Sequence, residues 1–354
     1  MPTGPPAFEP LTQAPRTDPT VLYRGRDEMY VQDMFIAALK ELDLFSWIGE
    51  RSVTVADVAD GFGFHARPVD VMTTLFVAMG LLERDGPALS LSPLAREYLI
   101  ASSPWFMGPY FPPVSDRPIA RDLLEILRTD RPARFASRQD EADWHEAMES
   151  EAFAEEFTAA MDCRGRLLAQ ALAPRLPLAR RRRLLDIAGG SGIYACGLCA
   201  RFPELRATVL EKRPVDRIAA RAIAARGCSD RVDVVVADML RDPLPSGYDV
   251  HLYSNVLHDW DVDVVRHLLH ASASSLAAGG LIVVHDAFLD ADKSGPLPIA
   301  GYSVLLMHVT QGRCYSTAEM EGWLRDAGFS NVREVPSAVG RSALVAERTE
   351  GTPA

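Results

Sequence analysis

The sequence predicts an α/β protein: a doubly wound, mainly parallel sheet of seven strands, preceded by an all-helical module that a small β-ribbon closes. Three observations predict it. From residue 183 onward, strand-like runs at 184–188, 207–211, 232–237, 249–254, 281–287, 331–336 and 342–347 alternate with helical patterns. That alternation is the signature of parallel strands with helices packed on both faces. Asp186, Glu211, Asp238, Ser254 and Asp286 fall at the ends of the first five runs, and ligands of such sheets bind beyond the carboxyl ends of the strands. Before residue 183 the pattern is helical, broken by one turn at Arg84-Asp85-Gly86-Pro87.

The elements follow in order. At 354 residues the chain is long enough for two cores. Residues 1–20 hold six prolines (2, 5, 6, 10, 15 and 19) and read as a disordered leader. Residues 21–110 read as a winged-helix module. Thr54-Val-Ala-Asp57 is a capped helix start, and Pro68 in a first helical turn opens a longer helix running to Leu82. Beyond the turn at Gly86, Leu89-Ser90-Leu91-Ser92 alternates as a strand does.

A winged helix invites a DNA-binding reading, which two features oppose. The helix that would lie in a groove (Val69, Val71, Met72, Leu75, Phe76, Val77, Met79, Leu81, Leu82) is apolar on too many sides. Residues 1–100 carry eight basic against fourteen acidic side chains, where phosphate contacts need an excess of positive charge. A dimerisation module, with this helix buried against a second subunit, fits better. Residues 111–178 read as a helical connector that contributes to a substrate pocket, and 179–348 as the cofactor-binding domain.

Whole-chain numbers narrow the function. The net charge of −11 disfavours nucleic acid as a partner. No apolar run reaches the ~18–20 residues needed to cross a bilayer, and no signal peptide opens the sequence. Five cysteines without a framework of spacings suggest a reducing, cytoplasmic setting. Cys196 and Cys199 fall within a helical pattern and read as packing residues rather than a redox or metal pair.

The most informative stretch is Leu184-Leu-Asp186-Ile-Ala188-Gly189-Gly190-Ser191-Gly192: an apolar run ending in an acid, then a glycine-rich turn that enters a helix. Glycines there let the backbone approach a ligand closely. Glu211, nineteen residues after Gly192, suits a bidentate contact to ribose hydroxyls. A dinucleotide turn would read Gly-x-Gly-x-x-Gly and place amides on a pyrophosphate; here Asp186 precedes a Gly-Gly-x-Gly. A carboxylate repels a diphosphate and attracts a sulfonium carrying an ammonium group. The charges fit S-adenosylmethionine. Asp238 can accept from an adenine amino group, with Met239 beside it to pack on the base.

After the fourth strand comes Ser254-Asn-Val-Leu-His258-Asp-Trp260. A histidine there projects towards the end of a bound cofactor. Its free pKa of about 6.5 suits it to take a proton near neutrality. Trp105, Trp144, His145, Phe157, Met161, Tyr302, Met307 and His308 are candidates for the wall of a flat, largely apolar pocket.

Asp186-Ile-Ala-Gly-Gly-Ser-Gly192, Glu211, Asp238-Met239, Leu257-His-Asp-Trp260 and the stretch from Gly312 to Trp323 together resemble the bacterial and plant S-adenosylmethionine-dependent small-molecule O-methyltransferases with an N-terminal winged-helix dimerisation domain. The resemblance covers nearly all of the chain after residue 20. It implies a class I methyltransferase fold, with the methionine moiety on the glycine turn (Gly189, Gly190, Gly192), the ribose on Glu211 and the adenine on Asp238 and Met239. Ser254 and Trp260 would complete the cofactor site. It further implies His258 as general base acting on the hydroxyl of an aromatic secondary metabolite, no resident metal, and homodimers whose subunits help close each other's pockets.

The sequence departs from that pattern in places. Ala188 stands where relatives often have a first glycine, and Ser254 where plant members carry lysine. Of two acids that flank the base, Asp286 matches the first, shortened by a methylene from the usual glutamate, whereas Cys314 stands at the second. Glu319, three residues after Ser316, reads as a capping-box partner. Two other readings compete: a metal-assisted C-methyltransferase of a 2-oxo acid built on His258, Asp259 and His308, and a non-catalytic winged-helix sensor that binds the cofactor.

Overall fold

The computed structural model describes residue 11, residues 15–133 and residues 147–349. Most of the expected leader, and the pocket candidates Trp144 and His145, lie outside these described residues.

The N-terminal module holds α1 (Thr20–Asp27), α2 (Val31–Ile36), α3 (Leu44–Ile48), α4 (Val55–Phe62) and α5 (Ala66–Ala78), then the ribbon β1 (Leu82–Asp85) and β2 (Ala88–Leu91), and α6 (Pro93–Tyr98). The capping box at α4 forms as expected: Thr54 accepts from the Asp57 amide at 3.1 Å, and Asp57 accepts from the Thr54 amide at 2.7 Å. Helix α5 stops earlier than the sequence pattern suggested. Met79 caps it, Gly80 turns the chain with φ +72°, and Leu82 already opens β1. The apolar circumference of α5 is satisfied within its own chain, because α12 (Leu297–Val309) packs along it. Its buried side chains and those of α12 belong to one core. The second subunit expected against this helix is therefore not needed to cover it.

Between module and sheet run α7 (Pro118–Thr129) and the long α8 (Glu151–Leu172). The C-terminal part then alternates β3 (Arg183–Ile187), α9 (Ile193–Arg201), β4 (Arg206–Glu211), α10 (Val215–Ala225), β5 (Val232–Val236), β6 (Val250–Ser254), α11 (Val262–Ser275) and β7 (Leu281–Asp286). After α12 follow α13 (Thr317–Asp326), β8 (Phe329–Pro336) and β9 (Ser342–Arg348). All seven strand runs read from the sequence are present.

The sheet order is β5-β4-β3-β6-β7-β9-β8, parallel through β7, with β9 antiparallel to both its neighbours. This is the class I methyltransferase fold. The order reverses between β3 and β6, so the chain leaves these two neighbours in opposite directions and opens a crevice above their carboxyl ends. One apolar core lies under each face of the sheet, built from alternate residues of the same strands: Leu184 and Leu252 on one side, Leu185 and Tyr253 on the other.

Candidate active site

A cavity of about 1350 Å³, counted out to its open mouth, occupies that crevice between α8, the strand ends and α12. Gly189, Gly190, Glu211, Asp238, Met239, Ser254, His258 and Trp260 all line it, together with Phe157, Met161 and Tyr302. Residues spread over a hundred positions of sequence meet here because parallel strands deliver their carboxyl ends to a single edge.

The glycine turn is built by close approach. A β-carbon on Gly189 would stand 2.6 Å from the Asp186 carboxylate, and Gly190 and Gly192 have φ of +59° and +72°. Ala188 also takes a left-handed φ of 53°, strained for a residue with a β-carbon. Gly192 caps α9 and packs on Ile223 and Val209; it shapes the turn without lining the cavity. Asp186 likewise lies under the turn, fully buried, rather than in the cavity wall. Among the described residues no group meets its two oxygens in hydrogen-bond geometry. Burial pushes this carboxyl up to about 7, against the pull of the Ala195 amide at the head of α9.

Glu211 ends β4 and braces the turn from the other side. The Gly190 amide donates to its Oε1 at 2.8 Å and the Lys212 amide to its Oε2 at 3.2 Å. Burial pushes its carboxyl up to about 7, against those same amides. Asp238 opens a turn, accepting from the Leu240 amide at 2.9 Å while facing the cavity. Two desolvated carboxylates around a glycine cradle suit a cationic nucleoside cofactor and would repel a diphosphate. The residues present fit S-adenosylmethionine.

Three residues that sequence reasoning missed hold the cradle in place. Asp162 of α8 accepts from the Ser191 hydroxyl of the turn and pairs with Arg226 after α10, and Arg226 in turn donates to the Ser191 carbonyl at 3.0 Å. Asn255, with φ +57°, donates to the Tyr194 hydroxyl at 3.1 Å. Asp162 and Arg226 are 64 residues apart, so no sequence pattern links them and only the packing of α8 on α9 and α10 brings them together.

His258 sits on a short 3-10 turn after β6, buried to 3% exposure. Its Nδ1 is hydrogen-bonded to Oδ1 of Asp286, which also accepts from the Ala287 amide at 2.7 Å. On the other side of the ring, Nε2 lies 3.6 Å from Oδ1 of Asp259. Burial alone would lower the pKa of His258; the charges of Asp286 and Asp259, with Tyr302 beside the ring, outweigh it and bring the imidazole up to about 9. For Asp286, burial would raise the value, and His258 with the Ala287 amide carries it below the usual carboxylate range. Asp259 is pushed up to about 6 by burial, against the attraction of His258. Tyr302 stands edge-on to the imidazole, centroids 5.5 Å apart.

The pocket candidates divide by helical periodicity. Tyr302, Leu305, Leu306 and Val309 form the cavity face of α12 at 3.6-residue spacing. Met307 lies off that face, fully buried in the core shared with the N-terminal module. His308 points away too; its Nε2 pairs with Asp122 at 3.2 Å and its ring tilts on Tyr30. The two-histidine set of the metal reading is thus not assembled, and among the described residues no group of three His, Cys, Asp or Glu side chains stands close enough to hold a metal ion. Trp105 is 64% exposed in the turns after α6 and does not reach the cavity. Cys314 is buried, and its amide donates to Ser303 at 3.1 Å.

A switch-point crevice with a glycine cradle, two buried carboxylates and a carboxylate-bound histidine defines a transferase that works on a small molecule with a nucleoside cofactor. The family model of the O-methyltransferase domain matches residues 121–330. The 3-hydroxy-5-methyl-1-naphthoate 3-O-methyltransferase of Streptomyces sahachiroi is 34% identical over 90% of this chain and 91% of its own. The tetracenomycin polyketide synthesis 8-O-methyl transferase of Streptomyces glaucescens is 29% identical over 83% and 86%. A solved O-methyltransferase family 2 protein from Planctomyces limnophilus, in complex with apigenin, superposes with a TM-score of 0.88 at 30% identity, covering 97% of this chain and all of its own. The chain belongs to the O-methyltransferase family and is an S-adenosylmethionine-dependent O-methyltransferase.

Proposed function

We propose that this enzyme methylates a hydroxyl group of an aromatic secondary metabolite, with His258 as the general base. The observation that carries the reading is the buried His258–Asp286 pair at the wall of the cofactor cavity. The relatives named for naphthoate and tetracenomycin chemistry, and the apigenin held by the Planctomyces protein, support a flat aromatic acceptor. Phe157, Met161 and Tyr302 offer the faces against which such a ring would stack.

S-adenosylmethionine supplies an electrophilic methyl group when bound. Glu211 would take the ribose hydroxyls, Asp238 and Met239 the adenine, and the turn at Gly189 and Gly190 the methionine end, with Ser254 and Trp260 closing the site. Asp286 holds Nδ1, so the Nε2 edge of His258 is the one that meets the acceptor hydroxyl and receives its proton. The carboxylate of Asp286 then stabilises the imidazolium that forms. Positioning of the hydroxyl by the pocket supplies much of the rate.

The enzyme would work as a homodimer in the cytoplasm. An apolar groove of the N-terminal module, lined by Phe35, Met79, Leu81, Leu94, Tyr98 and Met107, supports the first point, as do the exposed side chains of Trp105 and Tyr110 beside it. Five free cysteines support the second. The test is to incubate purified enzyme with S-adenosylmethionine and a panel of hydroxylated polycyclic aromatics, and to follow the gain of one methyl group by mass spectrometry. Transfer to carbon or nitrogen, with the hydroxyl left free, would refute the reading.

A further inference from the structure

We propose that the acceptor carries a carboxylate on its aromatic ring, and that Arg164 is the residue that takes it. The inference rests on the proposed aromatic acceptor and names its chemical class. Arg164 projects from α8 into the wall of the cavity beside His258. Its Nη1 donates to the Tyr302 hydroxyl at 3.0 Å, the same Tyr302 whose ring stands edge-on to His258. Its Nε is buried with no hydrogen-bond partner among the described residues. Among the described residues Arg164 makes no ion pair, although the buried arginine at Tyr302, Arg341, is paired with Asp27 at 2.7 Å.

Arg164 is partly buried, and a guanidinium largely withdrawn from water without a carboxylate is costly, so a ligand that completes the pair would relieve it. The surroundings accentuate the deficit. Arg341 lies 4.9 Å and Arg26 5.8 Å from the Tyr302 ring centre, so three guanidinium groups surround one phenol. Asp27 is the carboxylate in salt-bridge contact with two of them, at 2.7 Å from Arg341 and 3.5 Å from Arg26. Asp259 attracts Arg164 from a greater distance but faces the imidazole. Arg26 also lines the cavity, half-exposed, where it would add attraction to an entering anion. A planar fork suits a carboxylate, which it can meet through two parallel N–H bonds. A ring held by that fork presents its hydroxyl in one orientation, and His258 stands within one aromatic side chain of the fork. Arg164 is thus a specificity-determining residue, distinct from the base.

The test uses the full chain saturated with S-adenosylhomocysteine, titrated calorimetrically with a hydroxynaphthoate and with the naphthol that lacks its carboxylate. The expected result is that the hydroxynaphthoate binds about 10- to 100-fold more tightly than the naphthol, the range of a charge-assisted pair. Arg164→Gln, which keeps a donor for Tyr302, should abolish that preference while the affinity for S-adenosylhomocysteine stays within about threefold. Equal binding of the two rings, or binding of neither, overturns the proposal. So does a parallel loss of S-adenosylhomocysteine affinity in the variant, which would assign the guanidinium to the cofactor's own carboxylate. Binding through Arg164 without methylation would instead leave the proposal standing and remove the hydroxyl-transfer reading on which it was built.

Discussion

Asp259 approaches the Nε2 of His258 to 3.6 Å, on the side of the imidazole opposite Asp286. The ring therefore lies between two carboxylates even though Cys314 stands where the family pattern has a second acid. The second negative charge comes from the next residue in the sequence, brought round by the 3-10 turn Leu257–Asp259.

That arrangement fixes the sign of the pH dependence. His258 is raised to about 9, so the free enzyme holds it as an imidazolium at neutral pH, and kcat/KM should climb with pH up to about 9 as the base form appears. Asp286→Asn removes the strongest attraction and should move the inflection down towards the free value of about 6.5. An inflection that stays in place in the variant would show that another group titrates. The same pair bears on stability: its contribution is complete below about pH 6.5 and is lost as pH rises through the folded value of about 9. Urea midpoints across that window check this.

His258→Ala should lower kcat by about 10²–10⁴-fold and leave the affinity for S-adenosylhomocysteine within about threefold. Turnover near that of the parent enzyme would remove His258 from the chemistry.

Glu211→Ala should act oppositely, weakening cofactor binding while the fold persists, because it removes the brace of the Gly190 amide along with the expected ribose contact. Gly189→Ala should also weaken it, since the new β-carbon would stand 2.6 Å from the Asp186 carboxylate and force the turn open. Calorimetric titration with S-adenosylhomocysteine reads both, and unchanged affinity in Glu211→Ala would refute its assignment.

Gly312 packs so closely on the main chain of His258 that a β-carbon there would lie 2.0 Å from the His258 carbonyl oxygen. Because the neighbour is backbone, it cannot swing away, and Arg67 additionally binds the Gly312 carbonyl at 2.8 Å. Gly312→Ala should therefore cost about 1–3 kcal/mol of stability and lower kcat by displacing His258. Denaturant titration and turnover together test it; a variant normal in both would contradict the contact.

The ion pair between Asp27 and Arg341 joins α1 to the connection between β8 and β9 at 4% and 2% side-chain exposure. Asp27→Ala leaves the guanidinium buried and unpaired, and should destabilise the protein by about 3–5 kcal/mol. Asp27→Asn, which retains an acceptor oxygen, should lose less in the same urea experiment.

The strands and the glycine turn were legible because both are local in sequence. Period-two and continuous apolar runs mark the strands, and a turn that brings Gly189 against Asp186 leaves a compositional trace within a few residues. His258 was legible because it follows a strand whose end must face the crevice. The arginine cluster around Tyr302 left no such trace: Arg26, Arg164 and Arg341 come from α1, α8 and the last hairpin, and each alone resembles a surface arginine. Trp105 and Met307 misled for the complementary reason, since an aromatic or apolar residue is equally at home in a pocket, a core or an exposed turn.

By itself, then, the sequence determined the order of strands and helices, the acidic character of the strand ends and the placement of a histidine at the crevice, since all of these follow from short-range periodicity and from where a strand must end. Only the tertiary structure decided which side chains share the cavity. It turned α5 inward against α12, drew His308 away to Asp122, placed Asp259 across the imidazole from Asp286 and set Arg164 beside Tyr302 with no counter-ion among the described residues. Those outcomes depend on contacts between segments far apart along the chain, and such contacts are selected by the packing of whole faces.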